Sequence, residues 1–194
     1  QQTVAPIPGT LPEAPPGSID AKTSDQAGSW RLIGEHDIAE DAMVYASYAK
    51  GYKGPGSNSL ESGPSSGNVF VDPEIPRSYE VGIKSQWFDN RLRVNSAAYY
   101  STFKDFQASA QVPGTLPPIF YLTNAGELET QGVELEVNAQ LADNFEVQGS
   151  VAYTDATFSD WHGAPCYARQ NEAQGCVNGE QDLSGARMPN SPKW

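Results

Sequence analysis

Long hydrophobic runs are absent from this sequence of 194 residues, of which only 38% are hydrophobic. No stretch approaches the roughly 18 consecutive apolar residues that a membrane-spanning helix needs. Gln1 does not open a charged segment followed by an apolar run, so we find no secretory signal peptide. Either such a signal has been removed or the chain is a piece of a longer protein, and we favour the second interpretation.

Basic residues are also few. The sequence has 12 Lys and Arg against 24 Asp and Glu, which gives a formal net charge of -12. A nucleic-acid partner is excluded on this balance, because binding to phosphates requires a basic surface. The acidic balance fits the exposed loops of a secreted or outer-membrane protein.

Cysteine and histidine are scarce, with two of each. Cys166 and Cys176 lie in a loop-like stretch rich in Gly, Asn and Gln, and in an oxidising compartment a local disulfide is the natural interpretation. A zinc site that uses the nearby His162 lacks a fourth ligand at regular spacing, so we favour the disulfide. His36 and His162 have no nucleophile motif or metal-ligand pair beside them. We therefore expect no enzymatic activity, no resident metal and no cofactor.

Long alternating strands are what the sequence does contain. Twice within residues 77–158, an alternating strand, a short turn and a second alternating strand follow one another. In the second copy, Val133 and Leu135 alternate with Glu134 and Glu136. A period of two places the aliphatic and the charged side chains on opposite faces of a sheet. The two glutamates could form an acid/base pair, but we favour a solvated lining.

The connections between these strands alternate in length. A third hairpin at residues 30–53 precedes the other two, and the turns at 39–41, 89–90 and 142–144 are short. The connections expected at 54–76, 105–124 and 159–187 are long and rich in Gly, Pro, Ser and Asn. Short turns at one end and long loops at the other are typical of an antiparallel transmembrane β-barrel. The fold class that we expect is therefore all-β.

The predicted organisation is a loop or flexible arm at residues 1–29, followed by part of a barrel at 30–194. Six strands are expected there, with the start of a seventh at 188–194. Because six strands cannot close a wide pore, we expect a segment of a larger barrel. Aromatic residues near both predicted rims fit the girdles of such a barrel, although aromatic residues are also common in ordinary strands.

An ordered series of short motifs carries a family resemblance. The series resembles the later barrel strands of TonB-dependent outer-membrane receptors over roughly residues 28–194. The motifs are VYASYAKGYK from Val44, DPE from Asp72, SYEVGIK from Ser78, NSAAYY from Asn95, KDFQ from Lys104, NAG from Asn124 and QGVELE from Gln131.

The resemblance implies a barrel of about 22 strands closed by an N-terminal plug domain, with a TonB box that contacts TonB. Neither the plug nor the box is found in this sequence. The function implied is active uptake, across the bacterial outer membrane, of a scarce ligand such as a ferric siderophore, cobalamin or an oligosaccharide. The implied partners are the TonB-ExbB-ExbD complex, outer-membrane lipid and the small-molecule ligand. A passive porin and a soluble all-β carbohydrate-binding module are the alternatives.

Ligand binding is expected in the long loops, because rigid scaffolds commonly present their binding residues there. Aromatic and imidazole groups can hold a metal chelate or a sugar by stacking and hydrogen bonding. The open alternative is that these side chains only pack their own loops. The residues selected are Phe70, Phe120, Tyr121, Trp161, His162 and Tyr167.

Overall fold

The structure is a computed structural model and describes residues 22–58, 69–112, 117, 119–167 and 169–194. Most of the predicted N-terminal arm, residues 1–21, lies outside the described part. Six long strands form the main sheet. They are β1 (Trp30–Ala39), β2 (Ala42–Lys50), β5 (Ile75–Trp87), β6 (Leu92–Lys104), β9 (Glu127–Ala142) and β10 (Phe145–Asp160).

The long strands form an antiparallel meander in the order β1-β2-β5-β6-β9-β10. Short turns join β1 to β2, β5 to β6 and β9 to β10, as the sequence predicts. In the turn between β5 and β6, Phe88, Asp89 and Asn90 all have positive φ angles, of 56°, 53° and 66°. Within the described residues, β1 and β10 each pair with a single neighbour, so the sheet does not close on itself.

Each of the three long connections contains a short hairpin, which the sequence interpretation missed. The strands are β3 (Gly56–Ser57) with β4 (Phe70–Val71), β7 (Gln107–Gln111) with β8 (Phe120–Asn124), and β11 (Ala164–Pro165) with β12 (Glu180–Gln181). A 3-10 helix at Glu172–Gln174 lies between β11 and β12. Strands of two to five residues carry too little periodicity to be recognised from a sequence.

The predicted start of a seventh strand at residues 188–194 is wrong. The structure has no strand there, although the segment lies beside β10. Met188 donates its backbone N–H to Ala156, and Thr154 donates to Lys193. Pro189 and Pro192 have no N–H to donate, which prevents a continuous ladder.

The register places apolar side chains on one face of the sheet, which we call the outward face. One row across it contains Val81, Ala98 and Val133, and the next contains Ile83, Ser96 and Leu135. These side chains have little protein cover, since Val81 is 56% exposed and Val133 is 52% exposed. In a soluble protein, apolar side chains like these would be buried against another layer of the fold. Their exposure here suits the face to contact with hydrocarbon.

The uncharged part of the outward face has a definite height. On β5 it extends from Tyr79 to Trp87 with no charged residue pointing outward. At a rise of about 3.3 Å per residue this stretch is about 26 Å long, and a tilt of about 40° reduces its height to about 20 Å. The apolar band of outer-membrane barrels is about 25 Å tall, so the two heights are comparable. No helix in the described part of the chain is long and apolar enough to cross a bilayer.

The opposite, inward face is polar and hydrogen-bonded between strands. The Tyr45 hydroxyl donates to Glu80 at 2.7 Å, and the Lys84 ammonium lies 5.4 Å from the centre of the Tyr45 ring. Asn138 donates to Glu146 at 2.6 Å. A charged inward face and an apolar outward face are the arrangement of a barrel wall with water inside.

Candidate ligand-binding site in the long loops

Two of the short hairpins pack against each other at the long-loop end of the sheet. The Asn58 side chain donates to the carbonyl of Leu122 at 2.8 Å and accepts from its N–H at 2.6 Å. This amide therefore substitutes for a strand partner between β3 and β8. A Cβ atom added at Gly56 would lie 2.2 Å from a Leu122 methyl carbon, so the two hairpins are in close contact.

Gln107 joins the same two hairpins from β7. Its side-chain amide donates to the carbonyls of Gly54 and Asp72 at 2.8 and 3.0 Å. Its backbone N–H donates to Glu74 at 2.9 Å. Gln107 is only 7% exposed, so these bonds are made away from water, where a polar group without a partner would be costly.

Glu74 is the charged member of this buried network. It is 6% exposed, and one carboxylate oxygen accepts from Lys53 at 3.1 Å and from the backbone of Gln107. The Asn124 side chain makes two hydrogen bonds with the backbone of Asp72. Its amide oxygen accepts from the Asp72 N–H, and its amide nitrogen donates to the Asp72 carbonyl. We call the β3–β4 and β7–β8 hairpins together the outer-hairpin unit.

The third long loop contains a disulfide between the two cysteines that the sequence analysis paired. Cys166 and Cys176 are joined, with their Cα atoms 5.8 Å apart. Asn171 caps the enclosed 3-10 helix through a reciprocal pair of bonds with Gln174. Gln181 donates from β12 to the carbonyl of Pro165 on β11. The loop therefore has its own internal support.

His162 lies between two carboxylates on the surface of this loop. Its Nε2 atom is 3.4 Å from Asp160, and its Nδ1 atom is 3.1 Å from Asp182. Hydrogen bonds from Ser184, together with the nearby His162, lower the pKa of Asp182 below its ordinary value. In the described ranges no group of three or more His, Cys, Asp or Glu is arranged to hold a metal ion.

Trp161 lies at the base of the disulfide loop and packs on the end of β10. Its ring centroid is 4.7 Å from that of Phe158, and Phe158 is 3% exposed. Phe106 packs on the other side, 6.3 Å from Phe158. This cluster also contains the buried Ala125 and Leu128, so it lies where β9 and β10 meet the loops. Trp161 therefore connects the loop to the sheet as well as lying near its surface.

The remaining predicted residues occupy two groups. Phe70 and Phe120 lie on the outer-hairpin unit, where Phe120 is 59% exposed. Tyr121 lies beside them on β8, and its pKa is raised by burial and by the Glu180 carboxylate of the disulfide loop. Tyr121 therefore lies near enough to the disulfide loop to experience the charge of Glu180. Tyr167 is exposed on the disulfide loop, next to the disulfide.

Sequence reasoning missed the buried polar residues that hold the hairpins together. Glu74 and Gln107 lie within the DPE and KDFQ motifs of the family resemblance, but neither they nor Asn58 were assigned a role, because each acts through a contact with a distant part of the chain. Asn58 and Leu122, for example, are 64 residues apart. Apart from these motifs, the available signal was an amide or acid placed among small residues in a loop, which is too common to be specific.

Comparison with known proteins gives a consistent result. Residues 9–194 match the sequence model of a family described as TonB dependent receptor-like, beta-barrel. The chain is 27% identical over 158 residues to the probable TonB-dependent siderophore receptor PiuA of Acinetobacter baumannii, a match that covers 79% of this chain and 19% of the relative. It is 31% identical over 143 residues to the ferrichrome outer membrane transporter/phage receptor of Escherichia coli, covering 74% and 18%. The chain thus spans about a fifth of the length of these curated relatives.

A solved structure supports the fold. The copper transporter OprC aligns with a TM-score of 0.57 and 23% identity, over 66% of this chain and 20% of that chain. Similarity at this identity concerns the architecture alone, an antiparallel wall that forms about a fifth of a larger barrel.

Proposed function

This chain belongs to the TonB-dependent receptor-like β-barrel family, and from that premise we propose that it forms part of a receptor that takes up ferric siderophores. Its place is the bacterial outer membrane, and the family consists of transport receptors. The chain contributes six strands of barrel wall and three outer loops. The passive porin and the soluble carbohydrate-binding module are set aside, because the matched family is neither.

The observation that carries the choice of ligand is the identity of the relatives. They are named as receptors for siderophores, for ferrichrome and for ferripyoverdine. These names support a ferric chelate over cobalamin or an oligosaccharide, the other ligands implied by the resemblance. Ferrichrome and ferripyoverdine are ferric compounds by name, and a ligand taken up from outside the cell fits a site in the long loops.

The proposed binding step uses side chains that the loops hold in place. Exposed Phe120 and half-buried Phe70 offer ring faces for a chelate, and Tyr121 offers a hydroxyl. His162 and Tyr167 lie on the disulfide loop and would contact the ligand from that side. Because the buried polar network fixes the outer-hairpin unit before the ligand arrives, little ordering entropy would be lost on binding.

The proposed transport step depends on parts of the receptor outside this chain. TonB-ExbB-ExbD would supply energy through the plug, and the inward polar face would surround that plug. No covalent chemistry is required of any residue described above. What this segment provides is a wall with water on one side and loops that recognise the ligand.

Uptake by the full-length receptor tests the proposal. The receptor would be expressed in a bacterial strain that lacks its own ferric-siderophore receptors, and ⁵⁵Fe-labelled ferrichrome and ferripyoverdine would be supplied. We expect accumulation of one chelate that disappears when TonB is deleted. Uptake that continues without TonB would indicate a porin, and uptake of cobalamin without any ferric chelate would contradict the ligand assignment.

A matched pair of variants tests the loop site. Phe120→Ala removes an exposed ring from the outer-hairpin unit, whereas Phe88→Ala removes an exposed ring from a short turn at the opposite end. We expect Phe120→Ala to weaken chelate binding about tenfold, the effect of losing about 1.4 kcal/mol. Phe88→Ala should leave binding unchanged. Equal effects of the two variants would remove the loop site from the proposal.

A further inference from the structure

On β2, β5 and β6 the outward face changes from uncharged to cationic at one level. Tyr48, Tyr79 and Tyr100 form a row across β2, β5 and β6 at the long-loop end of the apolar band. One step farther toward the loops, Lys50 pairs with Arg77 on the same face. We call the aromatic level, together with Trp30, the tyrosine row. Its rings are in sequential contact, with centroids 4.9, 4.7 and 6.5 Å apart.

Lys104 completes a group of three cations on adjacent strands. It lies on β6, pairs with Ile75 of β5, and has the same outward parity as Tyr100. Neighbouring strands are about 4.8 Å apart, so the three charged groups can reach one anion or two close ones. Arg77 and Lys104 are exposed and Lys50 is half-buried. We call Lys50, Arg77 and Lys104 the cationic patch.

These three cations have no ion-pair partner in the described part of the chain. The ion pairs found there use Lys53, His162, Arg187 and Lys193. On β9 the same face carries two carboxylates beside the cationic patch, since Glu127 is the register partner of Lys104 and Glu129 is the register partner of Thr102. An unpaired group of cations is notable in a chain with a net charge of -12.

The position of the cationic patch identifies the anion it would meet. It faces away from the inward side and lies directly above the tyrosine row, at the boundary between hydrocarbon and water. Aromatic belts mark this boundary in membrane proteins. On the outer side of the outer membrane the anions at this level are the phosphates of glycolipid headgroups.

We propose that Lys50, Arg77 and Lys104 bind the phosphate groups of a phosphorylated glycolipid of the outer leaflet. Arg77 supplies the planar fork that binds a phosphate through two parallel hydrogen bonds, and the two lysines supply point charges. The tyrosine row below would contact the sugar and the first methylene groups of the acyl chains. This site is separate from the loop site and does not depend on which ligand the receptor transports.

Native mass spectrometry of the full-length receptor with added diphosphoryl lipid A tests this site. In the variant K50Q/R77Q/K104Q the three positive charges of the cationic patch are removed. The matched control K84Q/R91Q/R93Q removes three cations from the inward side and the adjacent turn. Each cation near an anionic surface contributes about a fivefold factor, so we expect the first variant to bind lipid A about 100-fold more weakly. The control should bind as the unmodified receptor does.

A second arm leaves the protein unchanged, in case the triple variant does not fold. Dephosphorylated lipid A should bind the unmodified receptor as weakly as diphosphoryl lipid A binds the variant. Equal binding of the two lipids, or full binding by the triple variant, would overturn the proposal. Displacement of lipid A by an excess of inorganic phosphate would also overturn it, because it would indicate a site for soluble anions.

Discussion

Two glycines on the inward face allow tyrosine rings to lie across neighbouring strands. Tyr45 is the register partner of Gly82, and Tyr99 is the register partner of Gly132. A Cβ atom added at Gly82 would lie 2.5 Å from the Tyr45 ring. In each pair the ring covers backbone that the glycine leaves bare, an arrangement known to support edge and barrel glycines. Glycine is therefore required at positions 82 and 132 because a larger residue would occupy the space of the neighbouring tyrosine ring.

Gly132 gives a direct test of this requirement. A Cβ atom there would lie 2.2 Å from the backbone oxygen of Tyr153 and 2.6 Å from the Tyr99 hydroxyl. We expect Gly132→Ala to lower the free energy of unfolding of the full-length receptor by about 2 kcal/mol, as overpacking does. Gly149→Ala is the control, since its Cβ would meet nothing within 4 Å. Urea unfolding followed by tryptophan fluorescence measures both, and equal effects would contradict the packing argument.

Asp182 gives a pH-dependent prediction at the residue scale. Its pKa is lowered, first by hydrogen bonds from Ser184 and then by His162. A carboxyl whose pKa is lower in the folded state stabilises that state above its unfolded pKa, ordinarily 3.8. The contribution is therefore present above pH 3.8 and is lost as the pH falls through the lower value of the folded protein.

Hydrogen exchange of the peptide at residues 180–187 measures this contribution. We expect Asp182→Asn to increase exchange at neutral pH and to have no effect at a pH below the folded pKa, where the native carboxyl is already protonated. The control is Asp143→Asn, at an exposed turn on the other end of the sheet. An increase that is the same at both pH values would show that the charge of Asp182 is not the cause.

At the scale of elements, the long strands were predictable and the short hairpins were not. Residues 133–141 alternate without interruption, so a period of two identifies both the strand and its outward side. The hairpin β7–β8 contains the small residues Ala108, Ser109 and Ala110, which show no contrast between faces. Its position depends on contacts with β3 and β4 about 50 residues earlier. Local pattern carries no information about such contacts.

Gln107 tests whether the outer-hairpin unit behaves as one body. Gln107→Leu keeps the approximate shape but removes two hydrogen bonds, so that the Gly54 carbonyl loses the Gln107 donor and the Asp72 carbonyl retains only the donor from Asn124. Each buried hydrogen bond contributes about 1 kcal/mol net, so we expect about 2 kcal/mol less protection of the hairpins, or exchange about 30-fold faster. Gln111→Leu is the control, because it makes the same change at an exposed position of the same strand.

Hydrogen exchange at residues 54–58 is the measurement for this prediction. Faster exchange there, far from position 107 in the sequence, would show that the two hairpins open together. If exchange increased only within residues 107–112, the two hairpins would open independently. The outer-hairpin unit would then not be fixed as one body before the ligand binds.

At the scale of the whole molecule, the sequence predicted the two faces because membrane and water select opposite chemistry at alternate positions. It predicted less about the site, since Trp161 and His162 were selected only by residue type. The structure shows Trp161 packed on Phe158 and His162 between two carboxylates. Both arrangements depend on how the loop returns to the sheet. The scaffold follows from a repeated local rule, whereas the site depends on contacts between distant segments.

The direction of the faces is tested at the middle of the apolar band. Leu135 lies in the same row as Ile83, halfway between Tyr79 and Trp87. An arginine facing lipid at the bilayer midplane costs about 2–4 kcal/mol, so we expect Leu135→Arg to lower the free energy of unfolding by about that amount. Gln148→Arg is the control on the inward face, where water solvates the new charge.

The comparison requires the full-length receptor refolded into lipid vesicles, because only there do the two faces meet different solvents. In detergent-free vesicles Gln148→Arg should unfold at the same urea concentration as the unmodified protein. Spin labels at positions 135 and 136 give an independent reading, with relaxation by lipid-soluble oxygen at 135 and by an aqueous quencher at 136. If both positions responded only to the aqueous quencher, the apolar face would not contact hydrocarbon. The tyrosine row would then no longer mark a membrane boundary, and the glycolipid site above it would lose its basis.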